Sequence, residues 1–244
     1  MVNYYAPLDP QKTDHVFLNR IEILRLNDLG AQFGFALSVL HERGLFPGDA
    51  TEQLSAEQPG VPLLTWPFLD FVESLDVRQQ RLMELGAGSS TLWFRQRFAE
   101  VRSFETNPEW HKAVSAIAGP NVEVALVDRS ALEDADIEYH GEEWLVVDFA
   151  GKRTRFLHRF LGKVAPSERP LAIVLDNADW YRRGAAILEE AGYLELPFYG
   201  FKSGQAWISC TSLFIDPARY RAALRKPFFH PAFSRRAVNS WDSL

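Results

Sequence analysis

From Trp66 onward the chain alternates short apolar runs with amphipathic stretches, and this alternation constrains the fold more than any other feature. The runs Arg81 to Leu85, Val101 to Glu105, Val122 to Val127, Trp144 to Phe149 and Leu171 to Asp176 have the length and apolar continuity of buried strands. Between them, Thr91 to Ala99, Glu109 to Ala118, Thr154 to Val164 and Tyr181 to Ala191 read as helices. Strands and helices in turn predict βαβ units, hence a parallel sheet covered by helices on both faces. After Gly192 the pattern breaks. Tyr193 to Tyr199 and Ala206 to Ile215 are joined by GFKSGQ, which leaves no room for a helix and predicts an antiparallel hairpin at the sheet edge. The expected class is α/β, with a mostly parallel seven-stranded sheet flanked by helices and closed by that C-terminal hairpin.

The ends of the chain read differently. Phe17, Ile21, Leu24, Phe33, Leu37 and Leu40 fall near helical spacing, so residues 1–60 are expected to form an N-terminal helical appendage that caps the core or joins two copies into a homodimer. The turn-rich segment Pro47 to Pro62 separates it from a core over 61–216. Residues 217–244 form a basic and aromatic tail, in which Arg219, Arg221, Arg225, Lys226, Arg235 and Arg236 are interleaved with Tyr220, Phe228, Phe229 and Phe233. A chain of 244 residues accommodates one such core with appendages.

Several function classes lose support. A net charge of −6 disfavours a role in coating nucleic acid or anionic membrane, so a small-molecule partner is expected, with no nucleic acid and no membrane. The lone Cys210 and a start without a secretory signal fit a reducing, cytoplasmic setting. The six histidines lack zinc-ligand spacing, and neither a nucleophile elbow nor a P-loop occurs.

In an open parallel sheet, ligands sit beyond the carboxyl ends of the strands. The first strand closes as Glu84-Leu85-Gly86-Ala87-Gly88-Ser89-Ser90, in which the glycines permit a tight turn and close approach of backbone to a ligand. A structural turn would read the same. Glu105 closes the second strand 19 residues beyond Gly86, near the offset at which an acid meets ribose hydroxyls. Thr91 stands where the dinucleotide fingerprint G-x-G-x-x-G needs its third glycine, which points away from a pyrophosphate. Asp128 closes the third strand, Asp148 the fourth, and Asp176-Asn177 the fifth. Neighbouring strands would bring Asp148, Asp176 and Asn177 together as oxygen ligands suited to Mg²⁺, although Asp and Asn are also ordinary capping residues.

As a set, these strand ends and the final hairpin resemble a class I S-adenosylmethionine-dependent methyltransferase of Rossmann-like fold, over roughly Trp66 to Asp216. The resemblance implies S-adenosylmethionine as cofactor, with Glu84 and Gly86, Ala87, Gly88, Ser89 and Ser90 around its methionine portion. It further implies Glu105 on the ribose, Asp128, Arg129 and Ser130 near the adenine, and Asp148 beside the amino group. The acids after the fourth and fifth strands are also similar to those of the metal-dependent catechol O-methyltransferase group. That likeness implies Mg²⁺ on Asp148, Asp176 and Asn177, and Lys152 as the base that takes the acceptor's proton. Tyr199, Phe201 and Trp207 are candidates for an acceptor wall. An NAD-dependent oxidoreductase and a non-catalytic nucleotide-binding module stay open as alternatives.

Overall fold

The structure is a computed structural model that describes residues 61–220 and the strand segment 223–224. The expected N-terminal helices and most of the basic tail lie outside the described residues. A first helix, α1 (Trp66–Glu73), begins with proline at its second position and buries Trp66, Phe68, Leu69 and Val72. Its seat is the hairpin: Phe68 and Phe71 both pack on Phe198, with ring centroids 5.9 and 5.1 Å apart.

The main sheet has seven strands: β2 (Arg81–Leu85), β3 (Glu100–Glu105), β4 (Val122–Leu126), β5 (Trp144–Val147), β6 (Ala172–Asp176), β7 (Leu194–Lys202) and β8 (Gln205–Ile215). A two-residue strand, β1 (Leu75–Asp76), pairs separately with β9 (Ala223–Leu224). The spatial order is β4-β3-β2-β5-β6-β8-β7, parallel from β4 through β6, with β8 antiparallel to both its neighbours. Every residue of β5 and β6 is buried, as central strands covered on both faces must be, whereas the edge strand β4 is largely half-exposed.

The connecting helices are α2 (Ser89–Phe94), α3 (Pro108–Ser115), α4 (Arg129–Glu133), α5 (Arg153–Lys163) and α6 (Arg182–Glu190). From β2 the chain moves outward through β3 and β4; from β5 it moves the other way through β6. Right-handed crossovers in opposite directions put α2 and α3 on one face and α5 and α6 on the other. The packing agrees: Phe98 meets Trp144 next to α2, while on the inner side of α5 Phe156 stacks on Phe160 and takes Phe149 edge-on. Helix α5 follows from its sequence, because Arg153, Phe156, Leu157, Phe160 and Leu161 recur at helical spacing and are the buried ones.

The mostly parallel seven-stranded sheet of Rossmann-like type is therefore as expected, with one correction at the hairpin. GFKSGQ is not a six-residue turn; the strands run on through Lys202 and from Gln205, leaving a two-residue turn in which Gly204 has φ +68°. Gly200 is a strand residue whose missing side chain makes room for Pro67, since a Cβ there would stand 2.6 Å from Pro67 Cδ. No helix among the described residues is long and apolar enough to cross a membrane.

Candidate functional site

The strand order reverses between β2 and β5, and the loops leaving these two strands touch. Gly86, with φ +97°, lies so close to the β5 loop that a Cβ would stand 2.4 Å from the Asp148 carbonyl oxygen. Only glycine satisfies both the backbone conformation and the contact. The sequence thus specifies the two loops at the switch point, where open α/β sheets form the crevice that takes their ligands.

On the β2–β3 side two carboxylates organise the loop. Glu84 is fully buried and accepts hydrogen bonds from Ser90 Oγ (2.5 Å), Thr91 Oγ1 (2.5 Å) and Ser103 Oγ (2.6 Å). Ser103 is its register partner on β3. Burial raises the Glu84 carboxyl to about 7, against the pull of its three hydroxyl partners. Thr91 Oγ1 also accepts from the Gly88 N–H at 2.9 Å, so the residue in place of a third glycine fills the helix–strand junction and ties down the loop. Glu105 Oε2 accepts from the Ala87 N–H at 3.0 Å, while Oε1 accepts from the Thr106 and Asn107 N–H groups at 2.7 and 2.8 Å. A carboxylate offers about four acceptor directions, so Glu105 keeps one to spare. Trp110, placed by the Asn107 cap of α3, donates its indole N–H to the Ala87 carbonyl and covers Gly88. Asp128, Arg129 and Ser130 are exposed at the end of β4, and Asp128 makes no capping bond.

The β5–β6 side is built from charges. Arg153 donates to Asp148 Oδ1 (2.7 Å), to the Asp176 carbonyl (2.7 Å) and to the Phe149 carbonyl (2.8 Å). Asp176 is buried; its Oδ1 accepts from Thr211 Oγ1 at 2.6 Å and its Oδ2 from Lys202 Nζ at 2.5 Å. Asn177, in left-handed backbone with φ +55°, completes the cluster. In the amide orientation its neighbours satisfy, it donates to Asp176 Oδ2 at 2.8 Å and accepts from Lys202 Nζ at 3.2 Å. Burial raises the Asp148 carboxyl above the usual carboxylate range, the Asp176 charge adds to this, and Arg153 and Lys202 oppose it. Asp148 Oδ2 has no hydrogen-bond partner among the described residues.

The sequence-predicted residues thus divide. Gly86, Ala87, Gly88, Glu105 and Asp148 meet at the crevice, with Ser89 beside it, bonded to the Val61 carbonyl. Glu84 and Ser90 lie beneath the loop and bond to each other. Lys152 is exposed and faces Glu133 at 3.8 Å; the cation on Asp148 is its neighbour Arg153. Phe201 packs on Trp66, while Tyr199 and Trp207 are exposed.

The Mg²⁺ expected on Asp148, Asp176 and Asn177 requires correction, because the donor set does not fit it. A divalent ion needs free anionic oxygens. Here the oxygens of Asp176 accept from Thr211, Lys202 and the Asn177 amide nitrogen, the Asn177 amide oxygen accepts from Lys202, and Asp148 Oδ1 accepts from Arg153, which leaves Asp148 Oδ2 as the one open oxygen of the set. Arg153 and Lys202 are the residues that sequence reasoning missed. Arg153 was readable, since it stands in phase with the buried positions of α5 and Lys152 does not. Lys202 carried no local signal. Elsewhere, a recess of about 430 Å³ opens at the opposite, amino-terminal ends of β2 to β4, but its Arg102 is already paired with Glu142 and its Arg81 with the carbonyls of His140 and Gly141.

No protein-family model matches the chain, and no curated protein does. Solved structures similar to it include a precorrin-6y C5,15-methyltransferase from Geobacter metallireducens, at 12% identity over 61% of this chain and 86% of that one, with a TM-score of 0.46. Another is a candidate O-methyltransferase from Klebsiella pneumoniae, at 13% identity over 74% and 96%, with a TM-score of 0.49. A third is a SAM-dependent methyltransferase from Aquifex aeolicus, at 14% identity over 62% and 89%, with a TM-score of 0.43. All three are methyltransferases by name, and only the first is named for its acceptor.

Proposed function

We propose that this chain is an S-adenosylmethionine-dependent methyltransferase acting on a small molecule, with oxygen as the acceptor atom. The observation that carries the reading is the loop arrangement at the switch point, where the Gly86 loop crosses Asp148 while Glu105 fixes its backbone. Glu105 and Asp128 have no cation within ion-pair distance among the described residues, so a ligand bearing its own positive charge is stabilised there.

S-adenosylmethionine, when bound, supplies a methyl carbon made electrophilic by a sulfonium. The chain's residues bind and orient. Glu105 offers its spare acceptor direction to a ribose hydroxyl, and Asp148 offers Oδ2 to an amino group. The backbone of Gly86 to Ser90 would hold the methionine portion, and Asp128, Arg129 and Ser130 the adenine. Lys152, on the rim and facing Glu133, would take the acceptor's proton as the neutral amine, after giving its own proton to solvent. Rate acceleration then comes chiefly from alignment of two reactants in one crevice. The dinucleotide alternative has less support, because Thr91 occupies the junction that a third glycine would leave open.

Isothermal titration with S-adenosylmethionine and S-adenosylhomocysteine tests this reading. Saturable heat is expected for both, weakened roughly tenfold or more by Glu105→Gln, as loss of a charged acceptor predicts. No heat with either ligand at millimolar concentration overturns it.

A further inference from the structure

We infer that Lys202 is the resident cation of the β5–β6 edge: its ammonium holds the Asp176 and Asn177 oxygens that would otherwise ligate a divalent ion, and so keeps that position closed to metal. The contacts are those of an ion in a site. Nζ has Asp176 Oδ2 at 2.5 Å and Asn177 Oδ1 at 3.2 Å, and both Lys202 and Asp176 are within 2% of complete burial. Two acids, Asp148 and Asp176, face two cations, Arg153 and Lys202, so the cluster is balanced. A divalent ion added to it would leave a desolvated excess of positive charge, which is costly.

The hairpin delivers this cation. Asp176 lies opposite Thr211 in the β6–β8 register and Thr211 opposite Phe198 in the β7–β8 register, so Lys202 stands four residues beyond that level on β7. Straight strands would put it about 14 Å beyond the level of Asp176, farther than a lysine side chain reaches. The observed contact therefore requires the hairpin tip to fold back over the end of β6, and the register shift between Gly200 and Lys202 supplies the bend. The fold spends an irregularity on bringing one ammonium to one acid. For the crevice it means that this edge offers an acceptor no Lewis acid, so two adjacent acceptor oxygens need not be clamped by metal.

The test is Mn²⁺ titration of the full chain, followed by the electron paramagnetic resonance signal of the free ion, with circular dichroism to verify folding. Wild type is expected to leave the signal undiminished, and its melting temperature to be indifferent to chelator. Lys202→Met and Lys202→Gln are expected to take up Mn²⁺ at least an order of magnitude more tightly than wild type, and Asp176→Asn added to either should abolish the uptake. Uptake by wild type that Asp176→Asn removes would overturn the inference without the need for any Lys202 variant. A folded Lys202→Met or Lys202→Gln protein that takes up no Mn²⁺ would overturn it as well. None of these measurements involves S-adenosylmethionine, so they fail or succeed separately from the donor titration.

Discussion

On the β2–β3 side of the switch point, Glu84 and Glu105 are held by three hydroxyls and three backbone N–H groups. On the β5–β6 side, Asp148 and Asp176 are held by a guanidinium and an ammonium. Neutral donors satisfy hydrogen-bonding directions without cancelling charge, so the first side keeps a negative potential and attracts a cation. Charged donors largely cancel it, so the second side has little to offer a further metal ion and keeps only Asp148 Oδ2 open. Two acid pairs of similar appearance in the sequence thus acquire opposite electrostatic roles from their partners.

The comparison breaks most visibly at Lys202. Lys202→Met strands a buried carboxylate and should cost about 3–5 kcal/mol in urea unfolding, most of it recovered in the double variant with Asp176→Asn. Gly86→Ala should cost roughly 2–4 kcal/mol, from positive φ and from the collision with the Asp148 carbonyl, and should also abolish donor binding in the titration. Glu84→Gln sharpens the contrast by pH. A buried carboxyl raised to about 7 from 4.5 contributes stability that is full below 4.5 and lost as pH rises through 7. Wild type should therefore lose melting temperature between those values, and the Gln variant should show a flatter profile. The smallest effect expected is at Asn107, which caps α3 through the Glu109 and Trp110 N–H groups. Asn107→Ala should cost about 1 kcal/mol and shift Trp110 fluorescence as the indole loosens from the Ala87 carbonyl.

The sequence disclosed these two sides unequally. Arg81 to Leu85 is a strand over the residues expected, because a buried apolar run followed by glycine has few other solutions. Glu105 was legible through its offset from Gly86, since the length of a βαβ unit is set by geometry. Its partners were not, because backbone N–H groups leave no mark in a sequence. Helix α2 begins at Ser89 rather than Thr91, since Ser90 and Thr91 turn inward to Glu84 as part of the first turn. The acids at 148 and 176 were visible as strand ends, but a metal site and an internally neutralised pair share those acids and differ only in the counter-cation. Arg153 could be found from helical phase. Lys202 could not, because GFKSGQ reads as a turn throughout, whereas Gly204 alone turns the chain and Gly200 serves the packing of Pro67.

The short pairing of Leu75–Asp76 with Ala223–Leu224 has a consequence for the order of assembly. Joining positions so far apart in an unfolded chain costs about 4 kcal/mol of closure entropy, whereas one or two hydrogen bonds return about 1 kcal/mol each. The ladder cannot form ahead of the sheet; it closes on a core that has already brought its ends together. It is a clasp fastened last and opened first, and amide exchange at Leu75 and Leu224 should run well ahead of exchange at Val146 and Val174 in the centre of the sheet.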